Sequence, residues 1–288
     1  MKIGIVILNY KTYLDTEILV KEIIGEETQH ELFIQVVDNA SPNESAEYLS
    51  KKLADMKNVF FYANNENSGF AKGNNIGLRL LKEYNVDYAL VLNNDIHFEL
   101  SVLDKLIETY NKIPDSGAIA PLQKLPNGEL EKFRSLNFPT FLMDVLSYTY
   151  FLIRFEKKWE YKQNTDYSNV QKVSIIPGCF IFIDYKLFES VGFFDECTFL
   201  FCEERFLSKK MTNVGKSNYL LLDCSYIHDH SKTIKKEVPS LNQRRLLHDG
   251  RIKYTKKYRS FPLLKTYILS VFWYYSIMIF KLYKFLKK

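Results

Sequence analysis

The chain has 288 residues, 47% of them hydrophobic and 25% charged, with a formal net charge of +5. These values exclude a disordered, collagen-like or low-complexity chain and fit one large globular domain or two small ones. Four cysteines (Cys179, Cys197, Cys202 and Cys224) without CxxC spacing read as free thiols of a reducing compartment, which argues against a zinc site.

The N-terminal stretch "MKIGIVILNYKTYLD" has one Lys and a short apolar run but no small-residue cleavage site, so it predicts a first strand rather than a signal peptide. Helical spacing follows in "LDTEILVKEII". "LFIQVVDNA" is a second strand ending in Asp-Asn, and "SPNESAEYLSKKL" places Ser, Pro and Asn at a helix start. "NVFFYANN" predicts a third strand, "GFAKGNNIGLRLLKEY" a third helix and "VDYALVLNND" a fourth strand. Strands alternating with helices predict βαβ units and a mostly parallel, doubly wound α/β sheet. Ligands bind such sheets beyond the carboxyl ends of the strands. Here those ends read Asn9-Tyr10, Asp38-Asn39, Asn64-Asn65 and Asn93-Asn94-Asp95. Each alone fits a turn, because Asn and Asp hydrogen-bond their own backbone. The four together predict a lined crevice.

After Pro114 the pattern loosens. "FPTFLMDVLSYTYFLIRF" (138–155) is apolar and aromatic, and "VSIIPGCFIFIDYKLFESVGFFDE" predicts a strand interrupted by Pro-Gly, then a short helix. "FCEERFLSKKMTNVGKSNYLLLDCSYIHDH" predicts a helix, a Gly-containing turn and a last strand. Three stretches could carry chemistry. "NNENSGFAKGNNIG" (64–77) sets Gly69 and Gly73 where a loop becomes a helix, and helix-start amides favour a phosphate. It is neither GxGxxG nor GxxxxGK[ST], and a Gly-rich helix start also serves close packing. "CEERFL" (202–207) puts Glu203 and Glu204 at a helix start, either as acids complementing the dipole or as a general base. Neighbours on a helix point about 100° apart, so one of the two at most can face a site. In "YIHDHS" (226–231), His228 and His230 share a face if extended, and imidazole can ligate Mn²⁺.

Taken in order, "VILNYKT", "VVDNASPNES", "NNENSGFAKGNNIG", "VLNNDIHF", "PGCFIFI", "VGFFDECTFLFCEE" and "IHDHS" resemble the family 2 glycosyltransferases, inverting enzymes of the GT-A fold, and within them the rhamnosyltransferase-like branch. The resemblance implies that Asn9, Tyr10 and Asp38 hold the nucleobase, while Asn67, Gly69, Lys72 and Asn74 border the nucleotide. Asn93-Asn94-Asp95 occupies the place of the family's Asp-x-Asp motif. Asp95, with His228, would hold a divalent metal, Mn²⁺ or Mg²⁺, at the donor diphosphate. Gly178, Asp195 and Glu196 fall on the acceptor side. The family's Glu-Asp pair maps to Glu203-Glu204, which favours Glu204 as base with Glu203 in reserve; a further acid of the family falls on Phe206 and is absent. The implied reaction moves a sugar from a nucleotide-diphosphate donor, dTDP-rhamnose or a UDP-sugar, to a hydroxyl of a lipid-linked or oligosaccharide acceptor. Two other classes were weighed. A sugar nucleotidyltransferase would carry a Gly-rich loop after strand one, and "LNYKTYLD" has no glycine. A degenerate, non-catalytic nucleotide-sugar-binding partner of an assembly complex would suit Asn93 and Phe206.

The resemblance predicts a GT-A domain over 1–233, with a nucleotide half (1–115) and an acceptor half (116–233). A basic helical extension (234–288) with an apolar segment at 261–280 would follow. Residues 232–288 carry fifteen Lys and Arg against two Asp and Glu, leaving 24 against 32 in residues 1–231. An acidic body with a basic tail predicts an anionic partner for the tail. Positions 266–280 hold no charge; as a helix they would cover about 22 Å against a hydrocarbon core of about 30 Å. Trp273, several Tyr and the flanking lysines suit a bilayer interface rather than nucleic acid. A monotopic anchor at the cytoplasmic face of a bacterial-type membrane is the favoured expectation, ahead of a shallow span or a helix packed on the body or on a second subunit of a homodimer.

Overall fold

A computed structural model describes residues 1–131, 136–149, 169–229 and 240–286. His230, residues 150–155 and the expected boundary at 233 lie outside these residues.

The four expected strands are β1 (Lys2–Asn9), β2 (Glu31–Asp38), β3 (Val59–Ala63) and β4 (Tyr88–Asn93), all parallel, in the order β3-β2-β1-β4. The apolar runs of β1, β2 and β4 are buried on both faces, as parallel strands under helices must be, whereas β3, at the sheet edge, is only partly so; Ile5, Val6, Ile7, Val36, Leu90 and Val91 have no exposed area. Register levels the carboxyl ends, with Asn9 opposite Asp38 and Leu8 opposite Asn93. Helices α1 (Tyr13–Gly25), α2 (Ser45–Leu53) and α3 (Gly69–Leu80) connect these strands. Gly73 lets α3 lie directly on the sheet, since a Cβ there would come within 2.6 Å of Leu8 Cδ1.

The second half is mixed rather than parallel. Beyond β4 the sheet continues with β8 (Phe180–Asp184), antiparallel to β4, then β6 (Ser116–Lys124) and β9 (Ser217–His228). The short β5 (Ile96–His97) and β7 (Val170–Val173) both pair antiparallel with β9. β6 was not expected. Pro121 interrupts its ladder, and its register against β9 shifts between Pro121 and Leu122, so the sequence reads as broken where the strand is in fact bulged. β9 runs parallel to β6, and β5 sets Ile96 opposite His228. His228 therefore arrives beside the residues that follow β4.

Further helices are α4 (Ser101–Lys112), α5 (Phe141–Leu146), α6 (Tyr185–Ser190), α7 (Glu203–Asn213), α8 (Ser240–Tyr258) and α9 (Pro262–Leu286). One buried carboxylate ties three of them together. Asp144 of α5, 2% exposed, accepts a bidentate pair from Arg205 of α7 at 3.1 and 3.2 Å. It also accepts a 2.6 Å bond from Arg259, and the Nε of Arg251 on α8 lies 3.5 Å away. Phe206 of α7 is buried between Tyr254 and Tyr258 of α8, with ring centroids 5.4 and 5.7 Å away. Removing one member of a buried ion cluster strands the others in a medium that solvates them poorly. Asp144→Ala should therefore lower unfolding stability by about 3–5 kcal/mol in a denaturant titration.

Candidate active site

The turns after β1 and β2 hold the first group of residues. Lys11 (φ 69°) and Ala40 (φ 55°) both take left-handed backbone, which sharpens each turn at a cost of about 1 kcal/mol or more. Asp38, 1% exposed, accepts from the Ser41 amide (2.9 Å), the Ser41 hydroxyl (2.7 Å) and Asn9 Nδ2 (2.6 Å). The carboxylate thus fixes its own turn and draws β1 and β2 together. Asn94 Nδ2 donates to the Thr12 and Thr16 hydroxyls at 2.6 and 2.9 Å, and the Thr16 hydroxyl donates to Asn9 Oδ1 at 2.9 Å. Asn9 and Asn94 are buried within this network, whereas Tyr10 is half-buried at the rim. Thr12, Thr16 and Ser41 were missed in the sequence because single hydroxyls carry no spacing signal.

The loop before α3 is knotted around Asn39. Its Oδ1 accepts from the Ser68 amide, the Ser68 hydroxyl and Asn64, each at 3.2 Å, and its Nδ2 donates to Asn67 Oδ1 at 3.0 Å. Gly69 is required twice over: its φ is +83°, and a Cβ there would lie 2.2 Å from the Phe199 carbonyl oxygen. That carbonyl accepts from the Phe70 amide at 2.8 Å, and the Gly69 amide goes to Asn67 Oδ1 at 3.1 Å. The first amides of α3, expected to face a phosphate, are thus engaged by the protein itself. The competing reading, close packing at a helix start, describes them. Asn74 is buried and donates to the Phe70 carbonyl at 3.0 Å, while Lys72 is exposed.

Past β4, Asp95 Oδ1 and His228 Nε2 stand 3.1 Å apart, both side chains nearly buried. Behind His228 lies a polar chain. Gln123 Nε2 is 3.1 Å from His228 Nδ1, and Gln123 Oε1 accepts from Tyr226 (3.0 Å) and Cys179 (3.4 Å). Burial pulls the His228 pKa down, but Asp95 and Cys179 outweigh it and raise the value to about 10. The donor set fits a hard divalent cation. Bonds of about 2.1 Å at right angles place neighbouring ligand atoms about 3.0 Å apart, close to the observed separation. Mg²⁺ and Mn²⁺ sites commonly pair one or two protein ligands with substrate phosphate and water. Gln123 supplies the outer partner that orients a metal-ligating imidazole. Among the described residues no group of three or more His, Cys, Asp and Glu side chains gathers, so a cation here would have only Asp95 and His228 of these residue types to hold it.

Of the two acids, Glu204 comes close to Gly178, just before β8. Phe201 (φ 74°) and Cys202 (φ 72°) are two successive left-handed residues leading into α7, a strained approach that delivers Glu203 and Glu204 at its first turn. Glu203 is buried; Glu204 is half-buried, with Oε2 within 3.8 Å of where a Gly178 Cβ would stand. Burial, then the neighbouring Glu204, raises the Glu203 pKa, and burial raises that of Glu204 against the pull of Arg205. Gly178 adjoins Cys179, whose carbonyl accepts from the Asn93 amide at 3.0 Å. Glu204 and Asp95 thus flank one short stretch of backbone. Asp195 and Glu196 are not brought to it. Asp195 pairs with Lys257 of α8, and Glu196 accepts from Asn75 (2.9 Å) and Arg79 (2.5 Å) on α3.

Residues 4–192 match the profile of Glycosyl transferase family 2. The chain is 26% identical over 212 residues to the low-salt glycan biosynthesis hexosyltransferase Agl10 of Haloferax volcanii, an alignment covering 70% of this chain and 59% of that protein. Among solved structures it is similar to GalNAc-T7 with UDP, GalNAc and Mn²⁺ (TM-score 0.60, 13% identity, 79% of this chain and 44% of that one). It is likewise similar to the mannosyltransferase PcManGT of Pyrobaculum calidifontis in complex with GDP-Man and Mn²⁺ (TM-score 0.60, 12% identity, 96% and 74%). At these identities the structures establish the fold, GT-A, with a curled sheet flanked by helices.

The acid pair makes stability depend on pH in a stated direction. Both carboxyls hold their protons more tightly folded than unfolded. Their contribution is whole below the unfolded pKa and is lost as the pH rises through the folded values. From about pH 5 to about pH 8 the thermal midpoint of the wild type should fall more than that of Glu203→Gln, as followed by differential scanning fluorimetry.

Proposed function

The chain belongs to glycosyl transferase family 2, and from that premise we propose that it moves a sugar from a nucleotide-diphosphate donor to a hydroxyl of a saccharide acceptor with inversion at the anomeric carbon. The observation that supports this reading is the approach of Glu204 to Gly178, next to Cys179, whose carbonyl takes the amide of Asn93, two residues before the Asp95 that pairs with His228. Glu204 takes the acceptor hydroxyl proton as that oxygen attacks the anomeric carbon, and the bond to the donor diphosphate breaks on the opposite face. A carboxylate whose pKa is raised by burial is, once ionised, the stronger base for this step. Asp95 and His228 would hold a Mn²⁺ or Mg²⁺ ion, which supplies positive charge against the leaving diphosphate. Because imidazole must lose its proton to ligate, loading the site releases a proton from His228. The half-buried Tyr10 ring borders the β1 end, where the nucleobase would lie.

The branch resemblance supports dTDP-rhamnose as donor, with UDP-sugars next. A lipid-linked acceptor at the cytoplasmic face of the membrane suits the basic, apolar C-terminus. A panel of nucleotide sugars with and without Mn²⁺, scored for binding and hydrolysis, tests the donor. Metal-dependent hydrolysis of any of them rules out a merely binding role.

Glu204→Ala should keep donor affinity in calorimetry while turnover drops about 10²–10⁴-fold, and near-normal transfer would remove Glu204 from the role. Asp95→Ala should abolish the response of activity to Mn²⁺. A variant that still responds would leave "LNND" as an ordinary turn.

A further inference from the structure

The C-terminal hairpin constrains how this chain can meet a bilayer. α8 and α9 run antiparallel in contact along their length. Arg244 lies over the Phe280 ring (4.9 Å), His248 stacks on Trp273 (4.6 Å, 8° between planes), and Ile252 packs with Leu269, Val145 and Tyr148. This flank of α9 is committed to the protein, with Leu269 0% and Ser276 1% exposed. The opposite flank is apolar and bare. Leu263, Tyr267, Tyr274, Met278, Leu282 and Phe285 recur at helical spacing, with Leu263 83% and Met278 71% exposed. At the turn between the helices, Phe261 takes a left-handed φ of 52° and is 75% exposed, extending the same apolar edge.

Length alone would permit a span, since Pro262–Leu282 is 21 residues long and apolar enough to cross a membrane. Its partner forbids it. α8 brings Arg244, Arg245, Asp249 and Lys253 alongside the same stretch, so crossing would either draw those charges into hydrocarbon or strip α8 from α9. A second copy of the chain is disfavoured by charge in a parallel pairing, which would bring the exposed Lys281 of each copy together, whereas Lys265 is turned to the body over the Phe141 ring. Residues 232–288, with fifteen Lys and Arg against two acids, are complementary to an anionic surface instead.

We infer that the chain docks on anionic phospholipid with α9 lying in the plane of the bilayer surface, its bare stripe sunk to the acyl boundary and α8 on the water side. This deepens the membrane-surface part of the proposed function and rests on it only for its purpose, not for its geometry. Amphipathic helices bind in this way when an apolar face and flanking basic residues act together.

The test is flotation of the full chain with phosphatidylcholine vesicles, with and without phosphatidylglycerol, followed by an alkaline carbonate wash. Binding should require phosphatidylglycerol and be reversed by carbonate. It should weaken at least about tenfold in Leu263→Ser/Tyr267→Ser/Met278→Ser, whose changes lie on exposed positions. Lys281→Glu, also exposed, should weaken binding to the phosphatidylglycerol vesicles and guards against misfolding of the triple variant. Retention through carbonate would mean a span and overturn the inference. Failure of the wild type to float would overturn it too, and a concentration-dependent dimer abolished by the triple variant would identify the second copy as the occupant. Nucleotide-diphosphate binding, measured in parallel, should be equal in all three proteins. Its absence from the wild type would defeat the donor reading while leaving the flotation result standing.

Discussion

Much of the structure depends on the carboxylate of Asp144. Arg205, Arg251 and Arg259 converge on it, and each guanidinium also lies over an aromatic face, Tyr254, Tyr148 and Phe141 respectively. Buried cations are tolerated where hydrogen bonds and ring faces replace the water they lose. The cluster fixes α7, and hence Glu203 and Glu204, against α8. α8 in turn fixes α9 through the His248–Trp273 stack. The acids and the bare apolar stripe therefore belong to one connected body. A protein seated on a membrane by that stripe presents its acids in a set orientation to the surface.

The N-terminal half was legible in the sequence because its information is local. Four apolar runs ending in Asn or Asp needed only a parallel register to become one edge, and Asn9 opposite Asp38 supplies it. The second half was less legible for reasons that can be named. β6 is disguised by Pro121, and its pairing with β9 joins residues about a hundred positions apart. Asp144 read as a charge interrupting an apolar stretch, yet its partners Arg205 and Arg259 lie 61 and 115 residues away. The two readings of the α3 amides could not be separated for a similar reason, since the carbonyl that takes the Phe70 amide comes from Phe199.

The missing acid at Phe206 also has a structural account. That side chain fills the space between Tyr254 and Tyr258, so a carboxylate there would be buried among rings rather than offered to a substrate. The aromatic choice at 206 holds α8, and with it the C-terminal hairpin. What the sequence shows as a departure from the family pattern is, in packing, a contact with the helix that carries Arg251 and ends just before Arg259, two of Asp144's three arginines.

Two carboxylate environments on either side of Arg205's contacts differ in their surroundings. Asp144 is buried and surrounded by donors. Glu203 and Glu204 are crowded at the end of two left-handed residues; burial, then the charge of Glu204, raises the Glu203 pKa, and burial raises that of Glu204. Arg205 stands between the two environments, giving both its bonds to Asp144 and only its field to Glu204. Had Arg205 turned its fork to Glu204, that acid would be held ionised and its basicity lost. Asp144 keeps the guanidinium occupied, and so the carboxylate that stabilises the fold also leaves Glu204 able to take a proton.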